Sequence, residues 1–256
     1  MSLHLSIVRR VSTALSFRNS FALVALACAL SVVSETPAQR RRTPLNSRSA
    51  VVVDERLAAL RDGPELSARL LQRMSRGRVV TILGAKRAPD RLTFYRVAVT
   101  RRTAGWIQSE AVVSPSRAED DERLLRLIRG SVEFDRIARA RIFLDLFPRS
   151  PSRPAVLMLY AQAAEEAAAK LSRDAVRRLD EREMAAGGAP LFSYFLNYNG
   201  LDRYGRQGIG FVFNRAAKQF HYDGEGWREI LRRYPRSTEA VEARKRLGAL
   251  SVVAER

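Results

Sequence analysis

From Arg78 to Val113 the chain alternates short β-branched runs with turn residues, and no other stretch constrains its fold as strongly. The runs are Val79-Val80-Thr81-Ile82-Leu83, Phe94-Tyr95-Arg96-Val97-Ala98-Val99, Gly105-Trp106-Ile107 and Ala111-Val112-Val113. Each is too short for a helix and is bounded by polar or glycine-containing breaks, the pattern of a small antiparallel barrel. Gly105 places a tight bend beside the large Trp106 ring, which needs a partner surface. Ala50-Val51-Val52-Val53 reads as the first strand, and Arg61-Asp62-Gly63-Pro64 as a turn. Ala68–Met74 reads equally as a strand or as one helical turn, because periodicity alone does not separate them.

At Ser114-Pro115-Ser116 the period changes. Ser116-Arg117-Ala118-Glu119 has the form of a capping box, and Leu124, Leu127 and Ile128 then share a helix face. A second stripe, Ile137, Ala140, Phe143, Leu144 and Phe147, is stopped by Pro148. An alanine-rich helix is predicted over 154–171, with a further short helix between Ser172 and Met184. Trp227, Ile230, Leu231 and Tyr234 form another stripe before Pro235, and Ser237 is placed to cap the last helix. Between them, nine of the 20 aromatic residues fall in 189–222. Phe211-Val212-Phe213-Asn214 and Gln219-Phe220-His221-Tyr222 around Arg215–Lys218 predict a β-hairpin near 211–222.

Two resemblances follow. Arg76-Gly77-Arg78-Val79-Val80, Phe94-Tyr95-Arg96-Val97 and Gly105-Trp106-Ile107 together resemble a bacterial SH3-like (SH3b) domain, over about a quarter of the chain. Phe147-Pro148-Arg149-Ser150 and Tyr234-Pro235-Arg236-Ser237, each followed by an alanine-containing amphipathic helix, are similar to the helical pairs of tetratricopeptide-like bacterial envelope proteins. The two turns lie 87 residues apart and the full repeat consensus is absent, so the resemblance implies a degenerate helical domain rather than a regular array. The expected fold is α+β and multidomain: an SH3-like barrel over 50–114, then a tetratricopeptide-like helical domain over 116–254 carrying the inserted hairpin. The barrel implies peptidoglycan or peptide binding; the helical part implies a protein partner.

The N-terminus reads as a secretory signal peptide over 1–38. Arg9, Arg10 and Arg18 precede the apolar core Phe21–Val33, and Thr36-Pro37-Ala38 offers small residues for cleavage. A linker over 39–49 follows. The alternatives are an uncleaved anchor and lipidation at Cys28, the one cysteine. Only these would bring membrane association; otherwise the expected location is secreted or periplasmic. Net charge is +18, and removal of three arginines and one glutamate with residues 1–38 leaves +16. Such a charge favours anionic partners. Only four of the 45 cations are lysines and the arginines are scattered, which fits a GC-rich composition as well as selection for charge.

Signals for chemistry are poor. With the leader removed, His221 is the one histidine, no cysteine remains, and no nucleophile elbow or phosphate-binding loop is present. The expectation is a non-enzymatic envelope protein without a cofactor or metal, recognising peptidoglycan or a protein. An accessory subunit of a cell-wall hydrolase is the alternative. A basic nucleic-acid binder is disfavoured by the export signal and the dispersed charge. The ligand-binding candidates are Tyr95 and Trp106 in the barrel, and Tyr204 and Arg206 beside the hairpin, where aromatic and basic residues mix. For the second group, packing under the hairpin is the competing role.

Overall fold

In the computed structural model, which describes the backbone of residues 47–254 and side chains as far as 250, the first half of the chain is one seven-stranded antiparallel sheet. The expected signal segment, Cys28 and most of the expected 39–49 linker lie outside the described residues. The strands are β1 (Ser49–Val52), β2 (Ala59–Arg61), β3 (Leu70–Arg73), β4 (Val79–Arg87), β5 (Thr93–Ala98), β6 (Ala104–Gln108) and β7 (Val112–Val113). The ambiguous Ala68–Met74 stretch thus supplies a strand. Tertiary pairing with β2 decides what periodicity left open.

β4 organises the sheet. Its first residues, Val79, Val80 and Thr81, pair with β1, while Thr81–Arg87 pairs with β5. A bulge between Ile82 and Gly84 lets one strand serve both partners by bending. Gly105 permits an equally close approach on β6: a Cβ there would stand 2.7 Å from the Arg61 carbonyl oxygen and 2.8 Å from Leu60 Cγ. The expected barrel does not close by hydrogen bonding. The order is β3-β2-β6-β5-β4-β1-β7, with β3 and β7 as edges. β7 has only two residues, and the Arg123 guanidinium donates to its Val112 carbonyl, occupying a group that a further strand would need.

The helices follow without an exposed break at Ser114, which is buried. They are α1 (Asp120–Arg129), α2 (Glu133–Leu146), α3 (Arg153–Arg178), α4 (Glu181–Ala186), α5 (Leu191–Leu196), α6 (Asp202–Gly205), α7 (Glu225–Arg233) and α8 (Glu239–Ala254). The expected hairpin is present as β8 (Phe211–Asn214) and β9 (Gln219–Tyr222). Three local expectations are corrected. Ser116 does not cap α1: its hydroxyl donates to the Ser47 carbonyl, and Glu119 precedes the helix at φ 66°. The helix predicted over 154–171 continues through 26 residues to Arg178, because Leu171 and Ala175 stay buried where a break was expected. The Ser237 hydroxyl is buried without a hydrogen-bond partner, so it does not cap α8.

The two aromatic-proline turns are equivalent in their backbone bonds. Phe147 N–H donates to Phe143 O and Ser150 N–H to Phe147 O; Tyr234 N–H donates to Ile230 O and Ser237 N–H to Tyr234 O. Buried Arg153 ties the first turn to the second helical pair, donating to Leu144 O at 2.7 Å and to Glu229 Oε1 at 3.1 Å.

There are two apolar clusters, and β1 divides them. Ala50 and Val52 pack with Leu60, Val80, Val97 and Ile107 inside the sheet. Val51 and Val53, alternating to the other side, pack with Val113 into the helical cluster. Polar bonds seal the junction. Asp120, 2% exposed, accepts from Ser114 N–H at 2.8 Å, and Arg139, 5% exposed, donates to Val53 O at 3.0 Å and Ser131 Oγ at 2.7 Å.

Two predictions follow from this packing. Arg139→Met removes the side-chain donors to Val53 O and to the Ser131 hydroxyl oxygen and should lower stability by about 3 kcal/mol in urea unfolding. The chain's two tryptophans stand in different clusters' territory, Trp106 on the sheet and Trp227 among the helices. Trp106→Phe and Trp227→Phe each leave one reporter, and in each variant the fluorescence transition should coincide with the loss of helical circular dichroism; a Trp106 transition separate from the helical one would mean two independently folding domains.

A further expectation concerns alkaline pH. Burial pushes the Tyr160 and Tyr222 phenols well above their ordinary value of 10.0. Folding therefore holds both neutral at a pH where the unfolded chain ionises them. Their contribution is full below pH 10.0 and falls as pH rises beyond it. Tyr160→Phe should flatten that alkaline loss, measured as the unfolding midpoint against pH.

Candidate functional site

Strand alternation sends Tyr95, Val97 and Ile107 into the sheet core and turns Arg96 and Trp106 to the opposite face. Register then aligns these outward residues. Trp106 stands directly across from Arg61 on β2 and from Arg96 on β5; Arg61 faces Leu70 on β3, and Arg96 faces Gly84 on β4. The result is a row across five strands: Leu70, Arg61, Trp106, Arg96, Gly84. Trp106 is half-buried, Arg96 is exposed, and Leu70 is 44% exposed. Arg61 is held in place by donating to Ala68 O at 2.7 Å. Gly84 has no side chain, and a Cβ there would meet nothing within 4 Å, so the row ends in open space. In the next row Phe94 is buried between Gln108 and Lys86. Neither row contains an acidic residue.

Exposed apolar side chains also occur along β3, along β4 and in the loop before β3. Leu66, Leu70, Leu71, Val79 and Leu83 are between 39% and 52% exposed. β3 itself is an edge strand exposed along all four residues, preceded by Arg69 and ending in Arg73. Such edges ordinarily carry charge to discourage chance pairing. The arrangement offers an aromatic face between two guanidinium groups, with an apolar margin. It suits an anionic ligand with planar or apolar parts.

The other predicted residues are placed differently. Tyr95 is 8% exposed and belongs to the sheet core, with the Arg117 guanidinium 5.0 Å from its ring centroid. Burial pushes its phenol up. It is therefore a packing residue rather than an exposed groove residue. Tyr204 is 1% exposed, held edge-on between the rings of Phe134 and Phe211 at 5.4 and 5.6 Å. Its hydroxyl accepts from Arg203 at 2.8 Å. Arg206 is exposed, but Tyr204 beside it presents no ring for stacking. Phe195, Phe213 and Phe220 likewise stack on one another, at 4.8 to 6.4 Å, and Lys218 pairs with Glu181. The aromatic segment under the hairpin is largely core, and the structure does not gather the four candidates into one site.

What sequence reasoning missed is the row itself. Arg61 and Arg96 are not among the sequence candidates, and Trp106 is grouped there with Tyr95, which lies on the other face of the sheet. The available signal was the alternation Tyr95-Arg96-Val97, which fixes opposite faces; the pairing of β2 with β6 is long-range and leaves no local trace. Among the described residues no group of three or more His, Cys, Asp or Glu side chains is arranged to hold a metal, and no helix is long and apolar enough to cross a membrane. Comparison with known proteins found no matching family model, no matching curated protein and no matching solved structure.

The two barrel candidates now separate by stability. Tyr95→Ala should lower stability by about 3–4 kcal/mol, since it opens the sheet core. Trp106→Ala should lower it by only about 1 kcal/mol. Chemical denaturation of the two variants checks the order; equal losses would place Trp106 in the core.

Proposed function

We propose that this chain is a non-enzymatic recognition protein of the bacterial cell envelope, exported by its N-terminal segment and binding an anionic envelope ligand across the outer face of the sheet. The observation that carries the reading is the half-buried Trp106 set between Arg61 and Arg96 in a row without acidic residues. A buried tryptophan would be explained by packing alone. One displayed between cations on the far side of the strand from the core is better explained by a partner.

The SH3-like reading is supported by the small, bent antiparallel sheet and by β1 clasping both β4 and β7. The tetratricopeptide-like reading is supported by the equivalent backbone bonding of the two aromatic-proline turns. Peptidoglycan fits the outer face well. Its sugars suit a tryptophan ring and its peptide stems carry carboxylates for Arg61 and Arg96. The helical half is then the part that engages a protein partner.

Sedimentation of residues 39–256 with purified sacculi tests this. The protein should pellet with sacculi, and part of the binding should persist in 1 M salt, where the screening length is roughly 3 Å. Trp106→Ala should weaken binding by about tenfold with the fold intact. Binding that disappears in moderate salt and ignores Trp106 would reduce the interaction to bulk charge. Hydrolysis of the wall by the purified chain would overturn the non-enzymatic reading.

A further inference from the structure

A cleft of about 370 Å³ lies on the opposite half of the molecule, between the C-terminal half of α3, the hairpin strand β9 and α8. Its size is that of a small-molecule site. The space exists because three of its wall residues are alanines: Ala168 and Ala169 on α3, and Ala249 on α8, with Leu250 continuing the apolar wall. Longer side chains at these positions would fill it.

The polar groups around it are in unequal states. Glu165 has both oxygens engaged: Oε1 accepts from Trp227 Nε1 at 2.8 Å and Oε2 from Arg246 at 3.1 Å. Arg246 also bonds Glu242 at 2.6 Å. Ser172 is satisfied by the backbone of Phe220 and of Ala168. His221 is not satisfied. Its Nε2 is buried and has no hydrogen-bond partner. Arg173, exposed at the rim, makes no ion pair among the described residues. Nε2 is closed off from the cleft, so of the three charged side chains lining it Arg173 alone is left without an ion pair among the described residues, Glu165 and Arg246 being paired.

We infer that this cleft binds a small amphiphilic carboxylate. Its carboxylate accepts from the Arg173 guanidinium, and its short apolar body lies against Ala168, Ala169, Ala249 and Leu250, beside His221. The sign of the charge follows from the lining. Its two arginines face one glutamate whose oxygens are already taken, so an added anion finds a donor and an added cation does not. The apolar body follows from the alanine and leucine wall, where displacing water is favourable. This site shares no residue with the outer face of the sheet, and it stands or falls independently of the function proposed above.

Hexanoate is the probe, with hexan-1-ol as its uncharged control. The readout is the ring carbon-proton resonance of His221 in the full chain, assigned by its loss in His221→Asn. Hexanoate at millimolar concentration should shift that resonance in a saturable way and raise the thermal midpoint. Arg173→Gln should weaken binding by about tenfold. Ala249→Leu, at an exposed position on α8, should block binding while leaving the unliganded midpoint unchanged. Trp106→Ala should leave hexanoate binding intact. A His221 resonance indifferent to hexanoate overturns the inference. So does an equal response to hexan-1-ol, or full binding by Arg173→Gln, since either removes the carboxylate from the recognition.

Discussion

Strand β1 is buried on both faces, and the rest of the structure depends on that. A strand in an antiparallel sheet commonly keeps one side in water. Here all four residues of β1 are buried, and its alternation distributes valines to two different cores. Its carbonyl end is closed by Arg139 from α2, at Val53 O. The opposite seam is closed by Asp120 and Arg123, which bond Ser114 N–H and the Val112 carbonyl of β7. Sheet and helices therefore share a wall instead of meeting through a linker. The charged groups in that wall are tolerable because each has partners within the protein.

That wall also frees the far side of the sheet. With β1 and β7 facing the helices, the strands β2, β3, β5 and β6 set part of their far side outward, with Phe94 the buried exception. Trp106 and its flanking arginines stand there because register places them in one row. The helical half builds its own recess by a different route. The long helix α3 and α8 contribute alanines beside β9, leaving space against His221. One surface is made by displaying large side chains, the other by omitting them.

Much of the fold was legible locally. The Val-Val-Thr-Ile-Leu and Phe-Tyr-Arg-Val runs gave strands, and Phe211–Asn214 with Gln219–Tyr222 gave the hairpin, because period-two alternation between turn residues is a short-range signal. Helix stripes ending at Phe147-Pro148 and Tyr234-Pro235 were equally readable, since proline cannot continue a helix. Caps were less so. Ser116 and Ser237 have the right residue type, yet one hydroxyl is drawn to Ser47 and the other is buried without a bond. The candidate site was the least legible. Aromatic content pointed to Tyr95 and Tyr204, but burial depends on what packs above a ring, and partners such as Phe134 and Phe211 are distant in sequence. Arg61 and Arg96 gained their place only through cross-strand register.

The double burial of β1 also sets an order of events as the chain is made. Ser49–Val52 emerges first, but its partners in the sheet are Val79–Thr81 and Val112–Val113, and the side chains that cover Val51 and Val53 belong to helices later still. An apolar segment thus waits, unpaired, for most of the chain to follow. Non-local pairings of this kind slow folding, because chain entropy is lost before contacts repay it. The same strand that unites the finished molecule is, during synthesis, its most vulnerable stretch: a short β-branched run, uncharged from Ser49 to Val53, whose protection from self-association falls to whatever binds nascent chains until the helices arrive.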